Sequence, residues 1–290
     1  MEPADGFTDD ATHAATRLRV GLIGAGRAGS VIARALERVG HHCVAVHAVS
    51  DASRARASRM LPSADLLDPI GVCGASDLVI LAVPDDAIEP VARGLADVGA
   101  IRDRHLLMHL SGRHGTLPLR AAAAKGATVF AVHPAMTLHG QPEDVFRLET
   151  CPFAVTAEGD AAAIAMALVY EIGGLPALVA EANRVLYHAA LAHASNHTVT
   201  LIAQSMEILR CVGIDDPGSY LTPLTHATIE RVLQEGDAAL TGPIARGDTE
   251  TVHAHLRALA APALPESTLA TYRALALATA ERHHRDLGVL

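Results

Sequence analysis

Short apolar runs alternate with polar, helix-spaced stretches through the first half of the chain. Residues 17–23 (RLRVGLI) run apolar into Gly24, and a helical pattern follows from about Ala28 to Val39, stopped by Gly40. A β-rich run, HCVAVHAVSD, fills 42–51, and the polar stretch 53–61 predicts the next helix. DLVILAVP (77–84) is a continuous apolar run ending in proline, the form of a strand buried on both faces. HLLMHLSG (105–112) and ATVFAVHP (127–134) repeat it on either side of a helical stretch at 116–125, and CPFAVTA (151–157) is the last strand expected. Strands alternating with helices predict a parallel α/β sheet with right-handed crossovers. After Glu158 the strand-like runs stop, and helical spacing occupies 160–172, 181–212, 221–235, 248–260 and 266–286. The pattern therefore divides the chain into an α/β domain over 17–157 and an all-α domain over 158–290.

Composition narrows the picture. Half of the 290 residues are hydrophobic, but there is no Trp and there are only four Phe and four Tyr. The core must come from Ala, Val, Leu and Ile, as where helices pack on a parallel sheet. The formal net charge is -9 and the arginines are dispersed, so there is no basic surface to displace counterions from nucleic acid. No apolar run approaches the roughly 20 residues that span a bilayer. Cys43, Cys73, Cys151 and Cys211 lie far apart in apolar settings with no CxxC pair, which predicts reduced, buried thiols in a cytoplasmic protein. Residues 1–16 are polar and acidic, lack the marks of a signal peptide, and predict a disordered tail.

The chemistry starts at Gly24-Ala25-Gly26-Arg27-Ala28-Gly29, a GxGxxG turn that follows a strand and opens a helix. That context is the dinucleotide-binding fingerprint of a Rossmann domain: a tight turn, close approach of the pyrophosphate, and close helix–strand packing. The free N–H groups of the helix start then face the phosphates. The end of the second strand selects the dinucleotide. Asp51 there argues for NAD, whereas Ser50, Ser53, Arg54 and Arg27 suit the 2′-phosphate of NADP(H). We take NADP(H), with Asp51 turned outward. Val83-Pro84-Asp85 ends the DLVILAV strand at the ligand-binding edge, with Asp85 able to cap the next helix and still lie near the nicotinamide ribose. His109 and Ser111 in HLSG are expected at the cofactor, and His133 in the next strand end at the substrate.

In the helical half, Asn183-Arg184-Val185-Leu186-Tyr187-His188 opens a long helix. At 100° per residue, His188, Ala192 and Ser195 share a face, with Asn196 about 80° from His188. Polar groups along an otherwise apolar helix need partners, either in the protein or in a ligand. His193 and His197 have the spacing of a metal pair, but with no Glu of the HExxH kind and no evident third ligand we expect no metal. The loop ALTGPIARGD (239–248) places Arg246, which suits a carboxylate or phosphate and equally a pairing with Asp248.

With these residues in view, the chain resembles a family of Rossmann-like oxidoreductases that carry a C-terminal domain of unknown function. The resemblance rests on the GAGRAG turn, DLVILAVPDDAI, the HLSG and HP strand ends, YHAALAHASN and ALTGPIARGD. At one remove the layout is similar to ketopantoate reductase and to the 6-phosphogluconate and 3-hydroxyisobutyrate dehydrogenases. It implies NADP(H)-dependent reduction of a small carbonyl compound, a ketopantoate-like 2-oxo acid, by a homodimer formed through the C-terminal domain. Those relatives carry a catalytic Lys on the first long C-terminal helix with an Asn four residues later. Here those places fall on His188 and Ala192, and the only lysine, Lys125, is in the Rossmann half. His188 becomes the candidate proton donor, because imidazole exchanges protons near neutral pH. Ser111 and Asn196 would position the reacting carbonyl, and His133, Tyr187 and Arg246 would contact the substrate. The missing lysine keeps a second reading open, an inactive NADP(H)-binding sensor, and imine reduction is a third.

Overall fold

The computed structural model describes residues 17–260 and 263–283, so the tail expected at 1–16 lies outside the described residues. Eight strands form one sheet: β1 (Arg19–Ile23), β2 (His42–His47), β3 (Asp65–Leu66), β4 (Leu78–Leu81), β5 (Leu106–His109), β6 (Thr128–Pro134), β7 (Pro152–Thr156) and β8 (Leu175–Leu178). The helices of this part are α1 (Arg27–Arg38), α2 (Asp51–Met60), α3 (Pro69–Ala75), α4 (Asp85–Asp97), α5 (Arg120–Ala123), α6 (Asp160–Glu171) and the start of α7 (Arg184–Cys211). The rest is helical: α8 (Pro217–Glu235), α9 (Pro243–Arg246), α10 (Thr249–Leu259) and α11 (Glu266–Arg282). The fold is thus a Rossmann-like α/β sheet followed by a helical C-terminal portion.

Strand order is β3-β2-β1-β4-β5-β6-β7-β8. After β3 the chain crosses to the other side of β1, so the order reverses between β1 and β4. That reversal opens a crevice at the carboxyl ends of these two strands, where such sheets bind ligands. Side chains alternate between two buried layers. Leu22, Ile80, Met108 and Phe130 join α1, α2 and α6 on one face, while Ile23, Val79, Leu81 and Leu107 join α3, α4 and α5 on the other. β4, with all four residues buried, is the strand its apolar run predicts.

Four expectations need correction. The α/β part does not end near residue 157: α6 packs on the sheet, β8 pairs in parallel with β7, and the two compact units divide within α7, after Leu191. LPAL gives little strand signal because β8 is an edge strand with Leu175 and Leu178 exposed, and edges tolerate proline. The sheet is also not wholly parallel, since β7 runs antiparallel to β6. The segment between them holds only a 3-10 turn (Pro142–Leu148), so no helix carries the chain back across the sheet. The helix expected at 116–125 shrinks to a 3-10 turn (Leu117–Leu119) and the single turn of α5. Cys43, Cys73 and Cys151 are buried, and burial pushes the Cys43 thiol up to about 12, but Cys211 is exposed.

In the second unit, residues 192–290, apolar side chains stand in the open. Val199, Val212, Leu224 and Leu233 are 68%, 70%, 64% and 82% exposed. Among the described residues no helix is long and apolar enough to cross a membrane.

Candidate functional site

The glycine turn joins β1 to α1 at the crevice. Gly24 has φ +95, and a Cβ there would stand 2.5 Å from the carbonyl oxygen of Ala82. A Cβ on Gly29 would collide with the Ala82 side chain and lie 2.9 Å from the carbonyl of Gly24. Both glycines therefore let α1 sit hard against the end of β4. Gly26 differs, because its missing Cβ would come no nearer than 3.6 Å to Ala82. Space left there in the protein is space for something else. Gly26 also begins α1 without a side-chain cap, and the first turn carries no acid, so its N–H groups and positive dipole end face the crevice.

At the end of β2, Ser50 caps α2 by accepting from the Ser53 N–H at 3.2 Å, and the Ser53 hydroxyl donates back to the Ser50 carbonyl at 2.7 Å. The Asp51 carboxylate is fully in solvent and lies 3.5 Å from Arg54, whose Nε donates to the Ala48 carbonyl at 3.4 Å. Two arginines of α2 that the sequence reading passed over reach further. Arg56 donates to the Ala25 carbonyl at 2.8 Å, inside the glycine turn, and Arg59 to the Gly140 carbonyl at 3.0 Å. Gly140 leans on the same turn, since a Cβ there would lie 3.2 Å from the Cα of Arg27. Buried Asp144 holds this loop by accepting from the N–H groups of His139, Gly140 and Gln141 at 2.7, 2.8 and 3.1 Å. Burial alone would raise its carboxyl, but those donors and Arg147 keep it below the ordinary range.

Val83 flanks Gly24, and Pro84 rather than Asp85 is the N-cap of α4. Asp85 and Asp86 lie in the first turn, complementing the helix dipole, and Asp85 is 3.4 Å from Arg113.

Next to this end of the sheet, β5, β6 and the start of α7 meet. His109, expected at the cofactor, is buried with both ring nitrogens engaged inside the protein: Nε2 lies 2.6 Å from the Gly115 carbonyl and Nδ1 accepts from the Ser111 N–H at 3.1 Å. Its side chain shapes the 109–115 turn rather than touching a ligand, and burial pushes it down to about 4, so it is neutral near pH 7. Ser111 is buried, and its hydroxyl accepts from the His114 N–H at 3.3 Å. Beyond it Gly112 leaves a gap that two imidazoles share, for a Cβ there would stand 2.7 Å from His188 Cδ2 and 2.9 Å from His133 Nε2. His133 Nδ1 lies 3.0 Å from the Tyr187 hydroxyl. Burial, then the positive charge of Arg184, push His133 down to about 4. The three predicted residues His133, Tyr187 and His188 are therefore one group over Gly112.

Beneath them is a residue to which the sequence reading gave no role. Arg184, only 1% exposed, donates from Nε to Thr156 Oγ1 (2.7 Å), from Nη1 to the carbonyls of Ser111 (3.3 Å) and Gly112 (3.5 Å), and from Nη2 to those of Ala131 (3.0 Å) and Ala154 (3.2 Å). An arginine opening a helix looks in sequence like any solvent-facing charge, and only the tertiary fold buries it.

Asn196 and Arg246 belong to the second unit, where both are exposed. Arg246 ends α9, and the neighbouring Asp248 caps α10 by accepting from Thr251 at 3.1 and 2.7 Å. His193 and His197 hydrogen-bond each other, Nδ1 to Nδ1 at 2.8 Å. Among the described residues no group of three or more ligand-type side chains is arranged to hold a metal.

Residues 4–134 match the Rossmann-like domain, and residues 151–279 match DUF2520, a domain of unknown function. No protein of curated function matches the sequence. Among solved structures, a Bacteroides fragilis protein assigned as an NADP oxidoreductase is 23% identical over 91% of this chain and 98% of its own, with a TM-score of 0.75. A reductive aminase from Aspergillus terreus, in complex with NADPH and ethyl-5-oxohexanoate, is 16% identical over 94% and 97% with a TM-score of 0.66. The V8 variant of an imine reductase from Myxococcus stipitatus, in complex with NAD+, is 19% identical over 93% and 97% with a TM-score of 0.62. At such identities the likeness is one of fold. The two family matches follow one another along the chain, a Rossmann-like match over 4–134 and a DUF2520 match over 151–279.

Proposed function

We propose that the protein is an NADP(H)-dependent oxidoreductase that reduces a small carbonyl compound, a 2-oxo acid, as a cytoplasmic homodimer. The observation that carries this reading is the glycine turn at the β1/β4 crevice, packed where Gly24 and Gly29 meet Ala82 but open at Gly26. The residues fit a dinucleotide with a 2′-phosphate. Gly24, Ala25, Gly26 and the first turn of α1, from Arg27 through Ala28 to Gly29, offer N–H groups to the pyrophosphate, while Ser50, Ser53, Arg54 and Arg27 offer hydroxyls and cations to the extra phosphate. Val83, Pro84 and Asp85 border the nicotinamide side. The similar structures bound to NADPH and NAD+ are consistent with that use of the fold.

When bound, the reduced nicotinamide supplies the hydride, and the protein must place the carbonyl and deliver a proton. His188 is the proposed donor, on the helix position where the resembling dehydrogenases carry lysine. Ser111 would orient the carbonyl oxygen, with His133 and Tyr187 as the adjoining wall. Homodimer formation is supported by the exposed apolar side chains of α7 and α8, among them Val199, Leu224 and Leu233. Light scattering should give a dimer at micromolar concentration.

Titration calorimetry should find NADPH bound more tightly than NADH, and Arg54→Ala should narrow the gap. A preference for NADH would make Asp51 a ribose ligand and overturn the NADP(H) assignment. NADPH binding with no turnover on any 2-oxo acid or imine would leave the sensor reading in place of the enzyme.

A further inference from the structure

Arg184 is chemically odd. A buried guanidinium ordinarily meets a carboxylate, since an unpaired buried charge is costly. Here its five N–H bonds meet five neutral oxygens, four carbonyls and the Thr156 hydroxyl, and among the described residues no carboxylate pairs with it within 4 Å. Two carboxylates act on this corner through their charge without pairing with Arg184, Glu181 on Arg184 itself and Asp85 on His133. Glu181 accepts from the N–H and hydroxyl of Thr116 at 2.6 and 3.3 Å, and Asp85 lies against Arg113. Arginine does not give up its proton in proteins. Full hydrogen bonding thus solves the desolvation problem while leaving a whole positive charge under the floor that Gly112, His133, Tyr187 and His188 form. Carbonyl dipoles and the negative charge of Glu181 damp that charge but do not cancel it.

We propose that Arg184 is a specificity-determining positioning residue, which ties the turn after β5 to β6 and β7 and biases the floor above it towards a substrate bearing a carboxylate and against a cationic one. The proposal rests on the oxidoreductase reading for the identity of the site, and it decides between two of that reading's reactions. Reduction of a 2-oxo acid brings an anion to the floor and creates a negative oxygen there. Reduction of an imine requires a protonated iminium, which a buried cation repels. The guanidinium carbon lies 6.0 Å from the centre of the Tyr187 ring, which sets the distance scale. At an effective dielectric near 20, one charge at that range biases binding by about a hundredfold, and by about tenfold after damping. The low proton affinity of His133, which Arg184 helps to set after burial, is the same field acting on a group already in place.

Oxamate and oxamide test this directly, because they are nearly isosteric and differ by one negative charge. Titrated into the NADPH-saturated protein, oxamate should bind at least about tenfold more tightly. Arg184→Lys keeps the charge and loses the fork, so it should keep most of that preference. Arg184→Gln should bring the two ligands to within about twofold. Thr156→Asp, which sets a carboxylate against Nε and neutralises the arginine without removing it, should do the same if the glutamine variant fails to fold. Equal binding in the parent protein overturns the proposal, as does a preference that survives both neutralising variants, or no binding of either ligand once NADPH is taken up. If the protein takes up neither NADPH nor NADH, the oxidoreductase reading falls, and the same two titrations in nucleotide-free protein still decide the charge preference.

Discussion

His133 and Tyr187 meet edge-on, their rings at 85° with centroids 5.7 Å apart, and the phenol oxygen lies 3.0 Å from Nδ1 of the imidazole. With His133 held neutral, this contact fixes the ring that faces Gly112. Tyr187→Phe removes the oxygen and leaves a partly buried ring nitrogen without its partner, at a cost of about 1–3 kcal/mol. Urea unfolding should show that loss. A variant as stable as the parent would mean that solvent replaces the phenol.

Gly26 separates folding from ligand binding. Alanine at Gly24 or Gly29 would strike Ala82, so those variants should lose stability. At Gly26 the new methyl would make only an ordinary contact with the protein, and its φ of -71 suits any residue. Gly26→Ala should therefore melt like the parent yet bind NADPH at least about tenfold more weakly, since the methyl occupies the approach to the phosphates. Unchanged affinity would show that the turn is packing alone.

The Rossmann-like half was legible because its signals are local. A strand, three glycines and a helix start follow one another directly, and an apolar run such as LVIL can be little other than a buried strand. What was missed depends on contacts distant in sequence. Asp85 was expected to cap α4, but Pro84 takes that place. His109 was assigned to the cofactor for its position at a strand end, and nothing in HLSG tells that the turn folds back to use both its nitrogens. Arg184 is the strongest case, since its five acceptors come from residues 111, 112, 131, 154 and 156. No spacing rule connects them.

Neutral histidines make stability depend on pH. Both His109 and His133 are pushed down to about 4 in the folded protein, chiefly by burial, whereas an unfolded imidazole titrates near 6.5. Between those values the unfolded chain takes up protons that the folded one refuses. Stability that is fully present above about pH 6.5 is therefore lost as the pH falls towards 4, by on the order of 3 kcal/mol for His109 and less for the partly exposed His133. His109→Gln can still donate to the Gly115 carbonyl but cannot titrate. Its unfolding free energy should fall less steeply over that interval, and parallel curves would remove His109 as a source of the slope.

The proton donor is the sharpest test of the reaction. Reduction of a carbonyl makes an alkoxide that must be protonated or held by a strong donor. His109 is excluded by its own hydrogen bonds, and the Tyr187 phenol is pushed up by burial, only partly offset by the charge of Arg184, which leaves it a weak acid. His188 remains: its ring lies over Gly112, 6.1 Å from that of His133 between centroids, on the floor where the carbonyl would sit. His188→Ala should lower turnover by roughly 100-fold while leaving NADPH affinity nearly unchanged, and should remove a limb from the pH profile. His188→Gln, which fills the space and donates a hydrogen bond but no proton, should be as slow as the alanine variant. If glutamine restores turnover, the imidazole only orients the carbonyl, and the proton comes from Tyr187 or from water.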